Sequence, residues 1–227
     1  MNVWTPEKCS KLREVSGDLL RPGGLALTGY LFDLADFRAG SRILDAGCGT
    51  GATLRYIADT RRLQTVGVDS SMQMLTEARS SLSEPALVCA SIEGMPFGAA
   101  GFDGIICECV LSQTDASRTL AEFQRLLRVN GLLLLSDLYL MTTGAAAGTS
   151  GETGCLPASR EQLETLLEDA GFRVEHWEDR SADLRRLAVQ LILSPERQDD
   201  DGLLHAEEIG IHSRDIGYCL LTARKMS

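Results

Sequence analysis

Asp45 and Asp69 each close a short apolar run, and a glycine turn, Gly47-Cys48-Gly49-Thr50-Gly51, follows the first of them. Glycines in such a turn let the backbone approach a ligand where a Cβ would clash, and the helix that follows offers free N–H groups. The spacing G-x-G-x-G differs from the G-x-G-x-x-G of dinucleotide sites, and no G-x-x-x-x-G-K-[ST] loop is present. A carboxylate at Asp45 would oppose a pyrophosphate and suits a ligand bearing cationic groups, such as an ammonium and a sulfonium. Asp69 lies 18 residues past Gly51 at the end of the second run, where an acid can accept hydrogen bonds from both ribose hydroxyls. Taken alone, Asp69 reads as an ordinary turn acid; paired with Asp45 and the glycines it reads as a ribose contact.

The second group is sulfur. Cys107 and Cys109 are two apart on an expected strand, which predicts that they point to one side. Cys155 falls at the end of a small, Gly-rich stretch over 142–154, read as a flexible loop. Free thiols are commonly small core residues. A metal centre needs three or four ligands, and this C-x-C has neither a second close pair nor a spaced histidine, so no metal site is expected. His176, His205 and His212 are all C-terminal and read as surface or structural residues.

These residues need a scaffold, and the periodicity supplies one. Strands are predicted over 42–46, 64–69, 86–90, 104–109, 132–137, 172–178 and 218–223. Helices are predicted over 50–59, 71–81, 115–128, 159–170 and 182–193, with Ser71, Asp115 and Ser159 as N-caps, Gly131 as the stop after the third and Gly171 closing the fourth. Alternation of this kind builds a doubly wound α/β sheet with helices on both faces. The segment 194–202, with Pro195 and an acidic run, reads as a solvated loop. One domain spans 1–227: an N-terminal helical cap over 1–40, a cofactor-binding core over 41–137, and a substrate loop with the second half of the sheet over 138–227.

Composition narrows the function. The chain has 227 residues, 44% hydrophobic and 24% charged, which is globular. A net charge of -10 repels a phosphate backbone, so no nucleic-acid partner is expected. No apolar stretch reaches membrane-helix length and no secretory leader is legible, so with seven cysteines the expectation is a reduced, cytoplasmic protein with no membrane span.

Ile43-Leu44-Asp45-Ala46-Gly47-Cys48-Gly49-Thr50-Gly51, Val68-Asp69-Ser70-Ser71, Gly94-Met95-Pro96-Phe97, Phe102-Asp103-Gly104-Ile105-Ile106 and Leu126-Leu127-Arg128-Val129-Asn130-Gly131-Leu132 occur in that order. The set resembles the class I S-adenosylmethionine-dependent methyltransferases, above all the group that includes the ubiquinone/menaquinone C-methyltransferases. The resemblance implies a Rossmann-like, seven-stranded, mostly parallel sheet with an antiparallel last strand, and S-adenosylmethionine as cofactor. It implies that Asp45, Gly47 and Gly49 face the methionine part, that Cys48 and Gly51 also bind the cofactor, and that Asp69 holds the ribose. Ser70, Met74, Ser91 and Ile92 would lie around the adenine, and Cys107 beside the cofactor at the end of the fourth strand. Ser91 stands where the family often has an acid. In this family the segment upstream of the first strand can close over the cofactor, so Arg21, Thr28 and Tyr30 become candidate contacts, against an ordinary Pro22-Gly23-Gly24 turn into a packing helix.

Methyl transfer from a sulfonium is a displacement that depends on positioning and exclusion of water. The acceptor is expected to be a small molecule, with Cys109, Glu108 and Gln113 on its side. Ile105-Ile106-Cys107-Glu108-Cys109-Val110-Leu111 and Gly151-Glu152-Thr153-Gly154-Cys155-Leu156 also look like the segments around two arsenic-binding cysteines of arsenite methyltransferases. That alternative gives Cys109 and Cys155 to a soft acceptor. A further alternative is a family member that binds the cofactor without catalysis.

Overall fold

A computed structural model describes residues 21–83, 86–141, 158–193 and 215–227. In chain order the elements are α1 (Gly24–Ala35), β1 (Arg42–Ala46), α2 (Ala52–Thr60), β2 (Gln64–Asp69), α3 (Met72–Ser81), β3 (Leu87–Cys89) and β4 (Phe102–Glu108). A single 3-10 turn (Leu111–Gln113), α4 (Ala116–Leu126), β5 (Leu127–Leu140), α5 (Arg160–Asp169), β6 (Phe172–Asp179), α6 (Ser181–Leu193) and β7 (Ile216–Lys225) follow. The sheet has seven strands in the order β3-β2-β1-β4-β5-β7-β6. The pairs from β3 across to β5 are parallel, and β7 runs antiparallel to both β5 and β6. The strand order reverses between β1 and β4, which makes the C-terminal ends of β1, β2 and β4 the natural ligand crevice.

Alternating side chains divide between the two faces. Leu44, Ile105, Leu133 and Leu135 pack with Leu120 and Phe123 of α4 and with Leu163 and Leu167 of α5. Ile43, Ile106, Leu134 and Leu220 pack with Leu27, Leu31 and Phe32 of α1, Ile57 of α2 and Leu184 of α6. Each fully buried Leu or Phe stabilises the fold by about 1.5–3 kcal/mol. None of the helices among the described residues is long and apolar enough to cross a membrane.

Capping follows the sequence closely. Ser71 accepts from the Met74 N–H, Asp115 from the Arg118 N–H, and Ser159 forms a reciprocal capping box with Gln162. Gly171, at φ +83, closes α5 in the left-handed conformation that a helix end favours.

Several boundaries differ from expectation. The third predicted helix ends at Leu126, not Arg128, and the chain enters β5 at once. Gly131 is therefore no helix stop. It lies inside β5, where the register jumps from Phe102↔Leu127 to Gly104↔Leu132 and Arg128 to Asn130 bulge into solvent. Asn130 takes a φ of 64 there. Arg128 is tied to Asp103 at 2.6 Å. The strand expected over 86–90 is shorter, at Leu87–Cys89, and that expected over 104–109 is displaced to Phe102–Glu108. The expected loops over 142–154 and 194–202 overlap residues outside the described ones.

Candidate active site

β1 carries Asp45 to the crevice and turns at Gly47. Gly47 has φ +82, and a Cβ added there would overlap Val110 Cγ2. Gly49 has φ +53, and an added Cβ would meet nothing within 4 Å, so its Cα faces open space. The turn is held to β2: the N–H groups of Gly47 and Cys48 both donate to the Val68 carbonyl, at 2.8 and 2.9 Å.

Asp69 anchors the same turn. Its Oδ2 accepts from the Gly49 N–H at 2.9 Å and its Oδ1 from the Ser71 N–H at 2.8 Å. A carboxylate offers about four acceptor positions, so each oxygen keeps capacity for a ligand hydroxyl. Asp45 differs. It is buried, and its Oδ2 has no hydrogen-bond partner. Burial and the neighbouring Glu108 carboxylate push its pKa up to about 8, against the opposing pull of Arg21. A buried acceptor without a donor is costly, and an ammonium placed there would relieve it.

The segment before α1 closes the crevice with a polar ring. Arg21 Nη2 donates to Thr28 Oγ1 at 2.7 Å and to Thr53 Oγ1 at 2.8 Å, and lies 3.1 Å from Glu108 Oε2. Thr28 and Thr53 in turn donate to the Glu108 carboxylate at 3.0 and 2.9 Å. Burial alone would lower the Arg21 guanidinium, but Glu108, Tyr218, Asp45 and Cys109 raise it above its usual value. Its Nε is buried with no partner. Glu108, expected on the acceptor side, is thus surrounded by donors from α1, α2 and the segment before them.

The two cysteines do not share a side. Cys107 is fully buried in the α4/α5 face of the core. Cys109 lies just past β4 with φ 59, so the strand alternation is broken and it packs toward the α1 face. Its thiol is 3.2 Å from the Tyr218 hydroxyl, which donates to Ser136 Oγ at 2.9 Å. Burial pushes the Cys109 thiol up, so it holds its proton. Gln113, in the 3-10 turn, donates to the Cys109 carbonyl at 2.6 Å and so braces this strained residue. Asp137, at the end of β5, holds the same turn by accepting from the Ser112 N–H and hydroxyl at 2.9 and 2.6 Å.

The remaining expected contacts spread along the rim. Ser70 is exposed beside Asp69, and Met74 is half-buried on the first turn of α3. Ser91 is exposed, and its hydroxyl accepts from the Glu93 N–H at 3.2 Å; Ile92 is buried. Cys48 is buried with Leu54 and Leu75. Tyr30 packs edge-on against His176, 6.3 Å between ring centres, away from the polar ring. Cys48, Cys89, Cys107, Cys109 and Cys219 are free thiols. Cys155, His205 and His212 lie outside the described residues. Sequence reasoning raised Arg21 and Thr28, with Tyr30, as candidate contacts but not their bonds to Glu108; it missed Thr53, Tyr218 and Asp137, whose partners are distant in the chain.

Residues 44–135 match the protein family described as a methyltransferase domain. The O-methyltransferase resE of Aspergillus sclerotiorum is 29% identical over 203 residues, covering 83% of this chain and 77% of that protein. The crystal structure of the [4+2]-cyclase SpnF superposes with a TM-score of 0.74 at 26% identity, over 88% of this chain and 81% of that one. A geranyl diphosphate methyltransferase in complex with S-adenosylmethionine superposes with a TM-score of 0.76 at 15% identity, over 99% of this chain and 94% of that one.

Proposed function

We propose that this chain, which has the class I S-adenosylmethionine-dependent methyltransferase fold, binds S-adenosylmethionine and directs its methyl group to a small organic molecule. The observation that carries the reading is the pair of carboxylates at the ends of β1 and β2. Asp69 has capacity left for ribose hydroxyls, and Asp45 presents a buried, unpartnered oxygen suited to an ammonium. Gly49 keeps a side chain out of the open space beside it, Gly47 makes room for Val110, and Ser70, Met74, Ser91 and Ile92 form the adenine rim. The residues present therefore fit the cofactor.

The cofactor supplies an electrophilic methyl group on a sulfonium. The chain supplies position and dryness. Asp45, Asp69 and the glycine turn fix one partner, and the apolar surroundings of β4 and β5 exclude water that would compete for the methyl. Gln113 and Cys109 stand at the end of β4 on the side assigned to the acceptor. The reading as one domain, in a reduced cytoplasmic setting and without a nucleic-acid partner, rests on composition, and the free thiols accord with it.

The proton-bearing, Tyr218-bonded state of Cys109 speaks for an organic acceptor over a soft element held by thiolates. A second reading is a family member that binds S-adenosylmethionine without catalysis; the likeness to a protein named for a cyclisation, a reaction other than methyl transfer, is what supports keeping it. Release of S-adenosylhomocysteine, measured with a panel of small organic acceptors and with arsenite plus a reducing thiol, tests all three. Release with an organic acceptor supports the proposal. Arsenite-dependent release lost in Cys109→Ser moves the assignment to the soft element. Bound cofactor with no release from any acceptor moves it to the second reading.

A further inference from the structure

The polar ring of Arg21, Thr28, Thr53 and Glu108 has a feature that packing alone does not require. Each threonine hydroxyl accepts from the guanidinium and donates to the carboxylate, so the ring is closed on Nη2 and on both Glu108 oxygens. Its members come from four places: the segment before α1, α1, α2 and the end of β4. The side chains of Arg21 and Glu108 are only 13% and 4% exposed. A buried pair is expensive unless its remaining donors and acceptors are satisfied. Here Arg21 Nε is buried and left without a partner.

One acceptor is also left over nearby, Asp45 Oδ2, and the field of Asp45 acts on Arg21. A single ligand group that brings an anionic acceptor and a cationic donor on adjacent atoms would satisfy both. An α-amino acid end does so. Its carboxylate suits a guanidinium edge and its ammonium suits a buried carboxylate. The ring is electrically balanced by itself, one guanidinium against one carboxylate, so Glu108 is not a spare base. Its oxygens are taken.

We propose that Glu108 is a positioning residue: through Thr28 and Thr53 it holds the Arg21 guanidinium so that Nε meets the carboxylate of the cofactor's amino-acid end, making the site selective for that carboxylate. The inference rests on the reading of S-adenosylmethionine as cofactor. It assigns to Glu108 a role in cofactor recognition, carried through Arg21, in place of contact with the acceptor. Isosteric Glu108→Gln leaves the volume but removes the charge that fixes the guanidinium, and Thr53→Val removes one relay without changing side-chain size.

The test is equilibrium binding by calorimetry, with no turnover required. S-adenosylhomocysteine is compared with its decarboxylated analogue, which lacks only the carboxylate. The unsubstituted chain is expected to prefer S-adenosylhomocysteine at least tenfold. Glu108→Gln is expected to shrink that preference to threefold or less, and Thr53→Val to shrink it partially. A purely structural role would weaken both ligands alike and leave the preference unchanged, and that result overturns the proposal. So does an unsubstituted chain that binds both ligands equally. Should Glu108→Gln fail to fold, an undiminished preference in folded Thr53→Val overturns it equally. Failure of S-adenosylhomocysteine to bind the unsubstituted chain overturns the cofactor reading itself, which separates the two failures.

Discussion

Asp45 and Asp69 end neighbouring parallel strands, yet one is satisfied and the other is not: Asp69 accepts two backbone N–H groups, while Asp45 keeps a buried oxygen with no partner. The difference separates their roles. Asp69 shapes the turn and has capacity to spare; Asp45 waits for a charge.

Replacing Asp69 by Ala removes the acceptor for the Gly49 and Ser71 N–H groups as well as the proposed ribose contact. S-adenosylhomocysteine binding is expected to weaken by about 1–3 kcal/mol. Calorimetry on the folded variant checks this, and an unchanged affinity would sink the ribose assignment.

Asp45 gives a pH dependence. Its pKa, raised to about 8 by burial, Glu108 and Asp69 and opposed by Arg21, means that the folded chain holds a proton there which the unfolded chain gives up near pH 4. This group's contribution to ligand-free stability is therefore full below the unfolded value and lost as pH rises through about 8. An ammonium beside Asp45 requires the carboxylate, so affinity for S-adenosylhomocysteine should rise with pH up to that point, by at most about tenfold per unit. Asp45→Asn should flatten the slope in urea-unfolding and binding series alike. A slope unchanged by the substitution would assign the proton to another group.

The two glycines of the turn should respond differently. Gly47→Ala overlaps Val110 and also carries a φ of +82, and is expected to cost stability and binding together, by more than about 2 kcal/mol. Gly49→Ala has open space and carries only the left-handed penalty of about 1–2 kcal/mol in stability, while an added methyl would intrude on the space proposed for the cofactor. Thermal unfolding paired with cofactor binding should show Gly49→Ala losing more affinity than stability. Equal losses would mean the space beside Gly49 is not used.

Asp137 is expected to be structural. Asp137→Ala strands the Ser112 N–H and hydroxyl and the Leu138 N–H, and should destabilise by about 3 kcal/mol. The check is the urea midpoint at constant slope. A midpoint shift of a few tenths of a molar or less would contradict the clamp.

The sheet was legible because amphipathic helices separate β1 from β2, β2 from β3 and β4 from β5, and because Ser71, Asp115 and Ser159 stand where caps belong. What failed to read was local irregularity. The bulge at Arg128 to Asn130 hid the true start of β5, since Arg128 and Asn130 ahead of Gly131 look like a helix end followed by a turn. The φ of 59 at Cys109 cancelled the alternation that would have put it beside Cys107. At the site, Asp45 and Asp69 could be found because the glycines mark the turn between their strands. The Arg21–Glu108 ring could not, because 87 residues separate the two and neither periodicity nor spacing links them.

The placement of β7 between β5 and β6 makes the far edge of the sheet depend on one strand. β7 is the strand that ties β6 to the rest of the sheet, whichever of its two ladders forms first. Without β7 on β5, the apolar Leu132 to Leu135 stretch is an unpaired edge, open to other chains. Truncation that removes Ile216–Lys225 would leave the protein in that state and release two strands by removing one. It would also withdraw Tyr218 from Cys109, so the far half of the sheet and the end of β4 are expected to lose order in a single step.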